Sequence, residues 1–322
     1  MNTPWPLADN SVDCCVTSPP YWALRNYGVE GQLGLEPTPD AFINNMVKVF
    51  EEVRRVLKPR GTLWINIGDS YSTGGRGNGG LGRAKEGLGW RSAPAGYKHK
   101  DLVGIPWMLA FALRSAGWYL RQDIIWHKPN PMPESAQDRC TKAHEYIFLL
   151  TKSPKYYFDQ QAIKEPLRSA SVQRLAQNID AQNGSDRVPG KTNGAMKAVG
   201  GSKHKVLSGD GKVHSMHRTR NESGHDFIAE DGMANKKSVW NVATSRFKDA
   251  HFATFPEELI TPCILAGCPK GGIVLDPFMG AGTTALVAMS HGRHFTGFEL
   301  NPEYIRIANN RLKDKFGMFY NP

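Results

Sequence analysis

Two short stretches of this chain hold residue types whose spacing could do chemistry. The first is Asp276-Pro277-Phe278-Met279-Gly280-Ala281-Gly282-Thr283-Thr284. An apolar run precedes it and a helical pattern follows, the context in which a parallel sheet binds nucleotide-like ligands at the carboxyl ends of its strands. Gly280 and Gly282 remove side chains where the backbone must bend and approach a ligand closely. Glu299 stands at the end of the next expected strand, where a carboxylate can accept hydrogen bonds from ribose hydroxyls. The dinucleotide fingerprint is excluded, because Thr284 replaces its third glycine, and no Gly-Lys-Ser/Thr follows to make a P-loop. An acidic residue ahead of the glycines suits an adenosine ligand with a cationic methionine part rather than a pyrophosphate.

The second stretch is Thr17-Ser18-Pro19-Pro20-Tyr21-Trp22, directly after the apolar run Val12–Val16. It suits a planar amine. The Ser18 hydroxyl and the Pro19 carbonyl can accept two N–H bonds, while the prolines stiffen the turn and remove competing donors. Tyr21 offers a face on which a base can stack, as an enzyme that pulls a base from the duplex requires. Cys14 and Cys15 fall inside the preceding strand and read as buried structural thiols, not nucleophiles.

The elements that must position these stretches alternate between strand and helix. Apolar residues at Phe42, Met46, Val49, Phe50, Val53 and Leu57 predict a helix from Pro39, with Thr38 as its N-cap, and Lys58–Gly61 should end it. A strand over Thr62–Ile67 follows, which makes a strand–helix–strand unit of a parallel sheet. Further on, a helix is expected over Ile105–Ala116, strands over Trp118–Trp126 and Glu145–Thr151, and a short edge strand at Tyr156–Phe158. The last third predicts a helix over Pro256–Ala266, a strand over Gly272–Leu275, a helix over Thr283–Ser290 and a strand over His294–Phe298. A closing helix after Asn301-Pro302 should put Ile305, Ala308 and Leu312 on one face. Between these lie the Gly-rich, basic stretch Ser70–Lys100 and a polar stretch from about Gln160 to Lys237. The first reads as a flexible surface loop or one that orders on a phosphate backbone, the second as a disordered insert or a DNA-contacting module that orders on binding.

Composition bounds the rest. The 322 residues are 40% hydrophobic and 22% charged, enough for a large core, and Lys plus Arg exceed Asp plus Glu by 40 to 30. A net charge of +10 favours a polyanionic partner, and binding through phosphates would fall steeply with salt. No apolar run reaches the roughly 18 residues of a membrane span, and the N-terminus carries no secretory pattern. The five cysteines contain no Cys-x-x-Cys pair, so neither a disulfide framework nor a metal site is expected, and a cytoplasmic location fits.

Together, Val16-Thr17-Ser18-Pro19-Pro20-Tyr21 and Asp276-Pro277-Phe278-x-Gly280-x-Gly282-Thr283-Thr284 resemble the catalytic and S-adenosylmethionine motifs of the DNA amino-methyltransferases, which modify exocyclic nitrogens of cytosine or adenine. The order, with the catalytic motif first, then a polar insert, then the cofactor motif, is that of the family's beta group. The resemblance implies an α/β S-adenosylmethionine-dependent methyltransferase fold: a Rossmann-like, mixed but mostly parallel sheet with helices on both faces, plus an irregular polar insert. Residues 1–159 would be its catalytic half, 160–240 a partly disordered target recognition insert, and 241–322 its cofactor-binding half.

It also implies roles. Asp276, Pro277, Phe278, Gly280, Gly282, Thr283 and Thr284 would surround S-adenosylmethionine, and Glu299 would hold its ribose. Ser18, Pro19, Pro20 and Tyr21 would bind and orient the target base. Thr254-Phe255-Pro256-Glu257 resembles the segment that completes the cofactor pocket, and His127-Lys128-Pro129-Asn130 the hairpin flanking the extruded base. Family members usually carry an acidic residue near the cofactor adenine ahead of the catalytic strand. This chain starts too close to Val12 to contain it clearly, so either Asp9 or a residue elsewhere substitutes, or the start codon is misassigned, or cofactor affinity suffers. Serine at the first motif position is associated with cytosine N4 more often than adenine N6. Partners implied are double-stranded DNA, with a homodimer and a cognate restriction endonuclease as further candidates and no membrane. Adenine-N6 methylation, methylation of a protein glutamine and DNA binding without turnover are the competing readings.

Overall fold

The computed structural model describes residues 4–72, 96–167, 205–207, 213–215, 233–244, 255–317 and 320. Most of the Gly-rich stretch, most of the polar insert and Thr254 lie outside the described residues. The chain divides into two compact units, residues 1–162 with 237–322, and residues 163–236. In the second unit two short antiparallel ladders are described, Glu165–Pro166 with Met233–Ala234 and Lys205–Leu207 with Val213–Ser215.

The first unit is built on a seven-stranded sheet. Its strands are β1 (Val12–Thr17), β2 (Leu57–Ile67), β3 (Tyr119–His127), β4 (His144–Thr151), β5 (Val239–Asn241), β6 (Ile273–Asp276) and β7 (His294–Gly297). They lie in the order β7-β6-β1-β2-β4-β3-β5. The β6–β7, β1–β6, β1–β2 and β3–β5 pairs are parallel, and β4 runs antiparallel to both β2 and β3. The sheet is therefore mixed and mostly parallel. No helix among the described residues is long and apolar enough to cross a membrane.

Alternation along the strands sends side chains to opposite faces, and each face is covered. Cys15, Leu63 and Ile65 share one core with Phe42, Met46, Phe50 and Val53 of α1 (Pro39–Val56) and with Leu109 and Leu113 of α2 (Ile105–Ser115). On the other face, Cys14, Thr62 and Trp64 crowd Gly267 at the end of α3 (Glu257–Gly267), where an added Cβ would collide with the Thr62 hydroxyl oxygen. The cap of α1 forms as its sequence predicts: Thr38 Oγ1 accepts from the Ala41 N–H at 3.2 Å, and Pro39 opens the first turn. The cap of α2 comes from another element, since the Asp69 carboxylate beyond β2 accepts from the N–H groups of Gly104 and Ile105.

Three expectations need correction. Strand β2 starts at Leu57 rather than Thr62, because Leu57 pairs with Val12 and Lys58 forms an ion pair with Asp13 at 2.8 Å. Tyr156–Phe158 is not a strand. Its Tyr157 N–H reaches Arg60, but the Asp159 N–H turns to Ala266 of α3, so the segment crosses between elements instead of running along one. In the closing helix α5 (Pro302–Phe316) the buried residues are Tyr304, Ala308 and Leu312, spaced four apart; Ile305 lies a helical step away and is exposed.

Gly282 opens α4 (Thr283–Ser290) in the left-handed region, φ +79, and a Cβ there would stand 2.9 Å from the Ala308 Cβ. Gly282→Ala is expected to cost about 2 kcal/mol through strain and helix separation, read as a lowered unfolding midpoint in urea.

Candidate active site

Topology brings the two chemical stretches together. Strands β1 and β6 are adjacent and parallel, Cys14 beside Val274 and Cys15 beside Leu275, so the turns leaving their carboxyl ends are neighbours. Strand β2 is parallel to β1 and ends at the same edge, while antiparallel β4 starts there. Strand β3 ends there too, with Trp126 opposite Glu145. A cavity of about 720 Å³ opens at this edge. Ser18, Pro19, Pro20 and Tyr21 line it, together with Pro277, Phe278, Gly280, Thr283 and Glu299.

Asp276, Gly282 and Thr284 stand behind that lining rather than in it. Asp276 is 1% exposed, and its carboxylate accepts from the Thr17 and Thr284 hydroxyls, both at 2.6 Å, and from the Phe278 N–H at 3.0 Å. Burial raises its pKa to about 6, against the pull of those three donors. It thereby ties the last residue of β1, next to Ser18, to the first turn of α4. Asp276 is thus hydrogen-bonded to both stretches, and Gly282 leaves room for Ala308 of α5.

The second of these stretches, with Glu299, fits an adenosine ligand. Gly280 has φ +53, and a Cβ built on it would meet nothing nearer than 3.9 Å, so its Cα faces open space in the cavity wall. Its N–H donates to Glu299 Oε2 and the Asn301 N–H donates to Glu299 Oε1, each at 2.8 Å. Two anchored oxygens keep further lone pairs for ligand hydroxyls. Trp5 and Phe298, with ring centroids 4.7 Å apart, add an aromatic border, and Phe255 of the segment following Thr254 also lines the cavity. Asp9 does not: it is exposed and forms an ion pair with Arg55 at 2.6 Å. These residues fit S-adenosylmethionine, whose adenosine needs an apolar slot and whose ribose needs an acceptor.

In the Ser18–Tyr21 turn, Tyr21 donates its hydroxyl to Glu145 Oε2 at 2.6 Å. Its ring packs on Gly68, where a Cβ would come within 2.6 Å of a ring carbon. Burial, then the Glu145 charge, lifts the Tyr21 phenol well above its usual range, while the Ser18 hydroxyl pulls it down. The phenol is therefore a neutral donor at physiological pH. Glu145 also accepts from Asn66 Nδ2 at 3.2 Å and pairs with Lys128 Nζ, which stands 4.3 Å from the Trp126 ring centroid.

Asn66, Trp126 and Glu145 border the cavity, and sequence reasoning passed over all three. Two signals were available. Asn66 is a polar residue inside the apolar run of β2, and Glu145 is a charge entering the apolar strand β4. Their pairing depends on the β2–β4 register, which no local pattern states.

Comparison with known proteins gives the family. A family model described as DNA methylase matches residues 12–310. The Type II methyltransferase M.Cfr9I of Citrobacter freundii is 43% identical over 310 residues, covering 95% of this chain and 83% of that protein. M.SmaI of Serratia marcescens is 41% identical over 306 residues, covering 93% and 84%. Among solved structures, the PvuII DNA methyltransferase, described as cytosine-N4-specific, shares the fold at a TM-score of 0.56 and 16% identity, covering 95% of this chain and 81% of its own. A putative DNA modification methylase from Thermus thermophilus, complexed with S-adenosyl-L-methionine, does so at 0.52 and 22%, covering 98% and 90%. The chain belongs to the DNA methylase family, enzymes that take their methyl group from S-adenosylmethionine.

Proposed function

We propose that this chain methylates the exocyclic N4 of a cytosine extruded from double-stranded DNA. The observation that carries the proposal is one cavity lined both by the Ser18–Pro19 turn, whose oxygens would accept an amine, and by Gly280 and Glu299. S-adenosylmethionine, when bound, supplies an electrophilic methyl on its sulfonium. The chain's own residues then prepare the nucleophile. Ser18 Oγ and the Pro19 carbonyl would accept the two amine N–H bonds, which would favour a pyramidal nitrogen. Tyr21 would hold the base ring by stacking and so orient its amine toward the methyl donor. Glu145 holds Tyr21 from behind, and Lys128 balances its charge in a half-buried site.

In this reading residues 1–159 bear the catalytic half, 241–322 the cofactor half, and the insert at 160–240 supplies the contacts that select a DNA sequence. A matching restriction endonuclease is the partner against which such a mark protects. Serine at position 18 favours cytosine over adenine. Mass spectrometry of nucleosides from DNA methylated by the purified protein tests the choice: N4-methylcytosine is expected, and N6-methyladenine alone overturns it.

The cradle has its own test. Glu299→Ala is expected to weaken S-adenosylmethionine binding about tenfold by calorimetry, the loss of a charged acceptor. Unchanged affinity would remove Glu299 from the ribose role.

A further inference from the structure

Met132 is the most exposed of the large apolar side chains in the described residues, at 84%. It lies in the connection from β3 to β4, between Pro131 and Pro133, where fixed φ angles and missing donors make a stiff arm. The root of that arm is pinned. The Lys128 N–H donates to Ala143 at 2.8 Å, and Asn130 exchanges two hydrogen bonds with the Thr244 backbone, at 2.9 and 3.3 Å. Lys128 and Thr244 both line the cavity. Four backbone steps lead from Lys128 to Met132, so the methionine Cα stands within about 14 Å of that cavity residue's Cα.

An apolar side chain held in water, on a rigid arm, beside a pocket for an extruded base, matches one physical need. Extrusion leaves a gap in the base stack, and apolar wedges such as methionine fill gaps of that kind. Its unbranched thioether adapts to an irregular space. We propose that Met132 is the wedge that enters the duplex where the target base leaves it. The inference rests on the function proposed above, since only an enzyme that extrudes a base leaves such a gap.

The test compares wild type, Met132→Ala and Met132→Leu on two duplexes carrying the sequence context that the enzyme modifies in plasmid DNA. In one the target base is normally paired; in the other it is mispaired and already loose. Met132→Ala should lose about tenfold in kcat/KM on the paired duplex and less than twofold on the mispaired one, because loose bases need less help to leave. Met132→Leu should keep most activity on both. A Met132→Ala variant as active as wild type on the paired duplex, or equally impaired on both, overturns the wedge. The second result would mark a contact made elsewhere, such as with a protein partner. Wild type inactive on any DNA overturns the proposed function itself and the wedge with it.

Discussion

Tyr21→Ala is expected to lower the methylation rate at least a hundredfold while leaving S-adenosylmethionine affinity within about twofold of wild type. The ring is the part of the Ser18–Tyr21 turn that can hold a base face-on, and a misplacement of about 1 Å at a reacting nitrogen is enough for a loss of that size. The cofactor cradle is built from other residues, on turns leaving β6 and β7, so its affinity should survive. Single-turnover rates and calorimetry on the same preparation separate the two. A large fall in cofactor affinity with Tyr21→Ala would mean that the tyrosine belongs to the cofactor cradle.

The second large effect concerns stability. Asp276 has a folded pKa of about 6 against an unfolded value of 3.8, the shift being caused first by burial. A carboxyl whose folded pKa is raised contributes its stabilisation below the unfolded value and loses it as pH rises through the folded one. The loss between about pH 4 and pH 7 amounts to roughly 3 kcal/mol. Asp276→Asn removes the titration. The stability of wild type minus that of the variant, from urea unfolding at a series of pH values, should therefore fall by about that amount over this window. A flat difference would show that the carboxylate is not desolvated as the structure has it.

Asp276 also marks how far the sequence could be read. Its place between a strand and a glycine turn was legible, and so were β1, α1, α4 and their order, because each rests on local spacing or a local cap. The direction of its side chain was not. The sequence suggests a carboxylate facing the ligand's positive charge. The structure turns it inward, to hydroxyls on Thr17 and Thr284 that are far apart or a turn away in sequence. The same holds for Glu145, whose partners Tyr21, Asn66 and Lys128 come from three different elements. Spacing along one element is visible in a sequence, whereas pairing across a sheet depends on register. Trp5 also borders the cavity, and no local spacing pattern marked it.

The most direct measurement is a crystal structure of the protein with S-adenosylhomocysteine, the product of methyl transfer. The ligand is expected in the cavity, its ribose hydroxyls on Glu299 and its sulfur facing the Ser18–Tyr21 turn. A ligand bound anywhere else, or one whose sulfur faces away from that turn, would contradict a shared chamber for methyl donor and base.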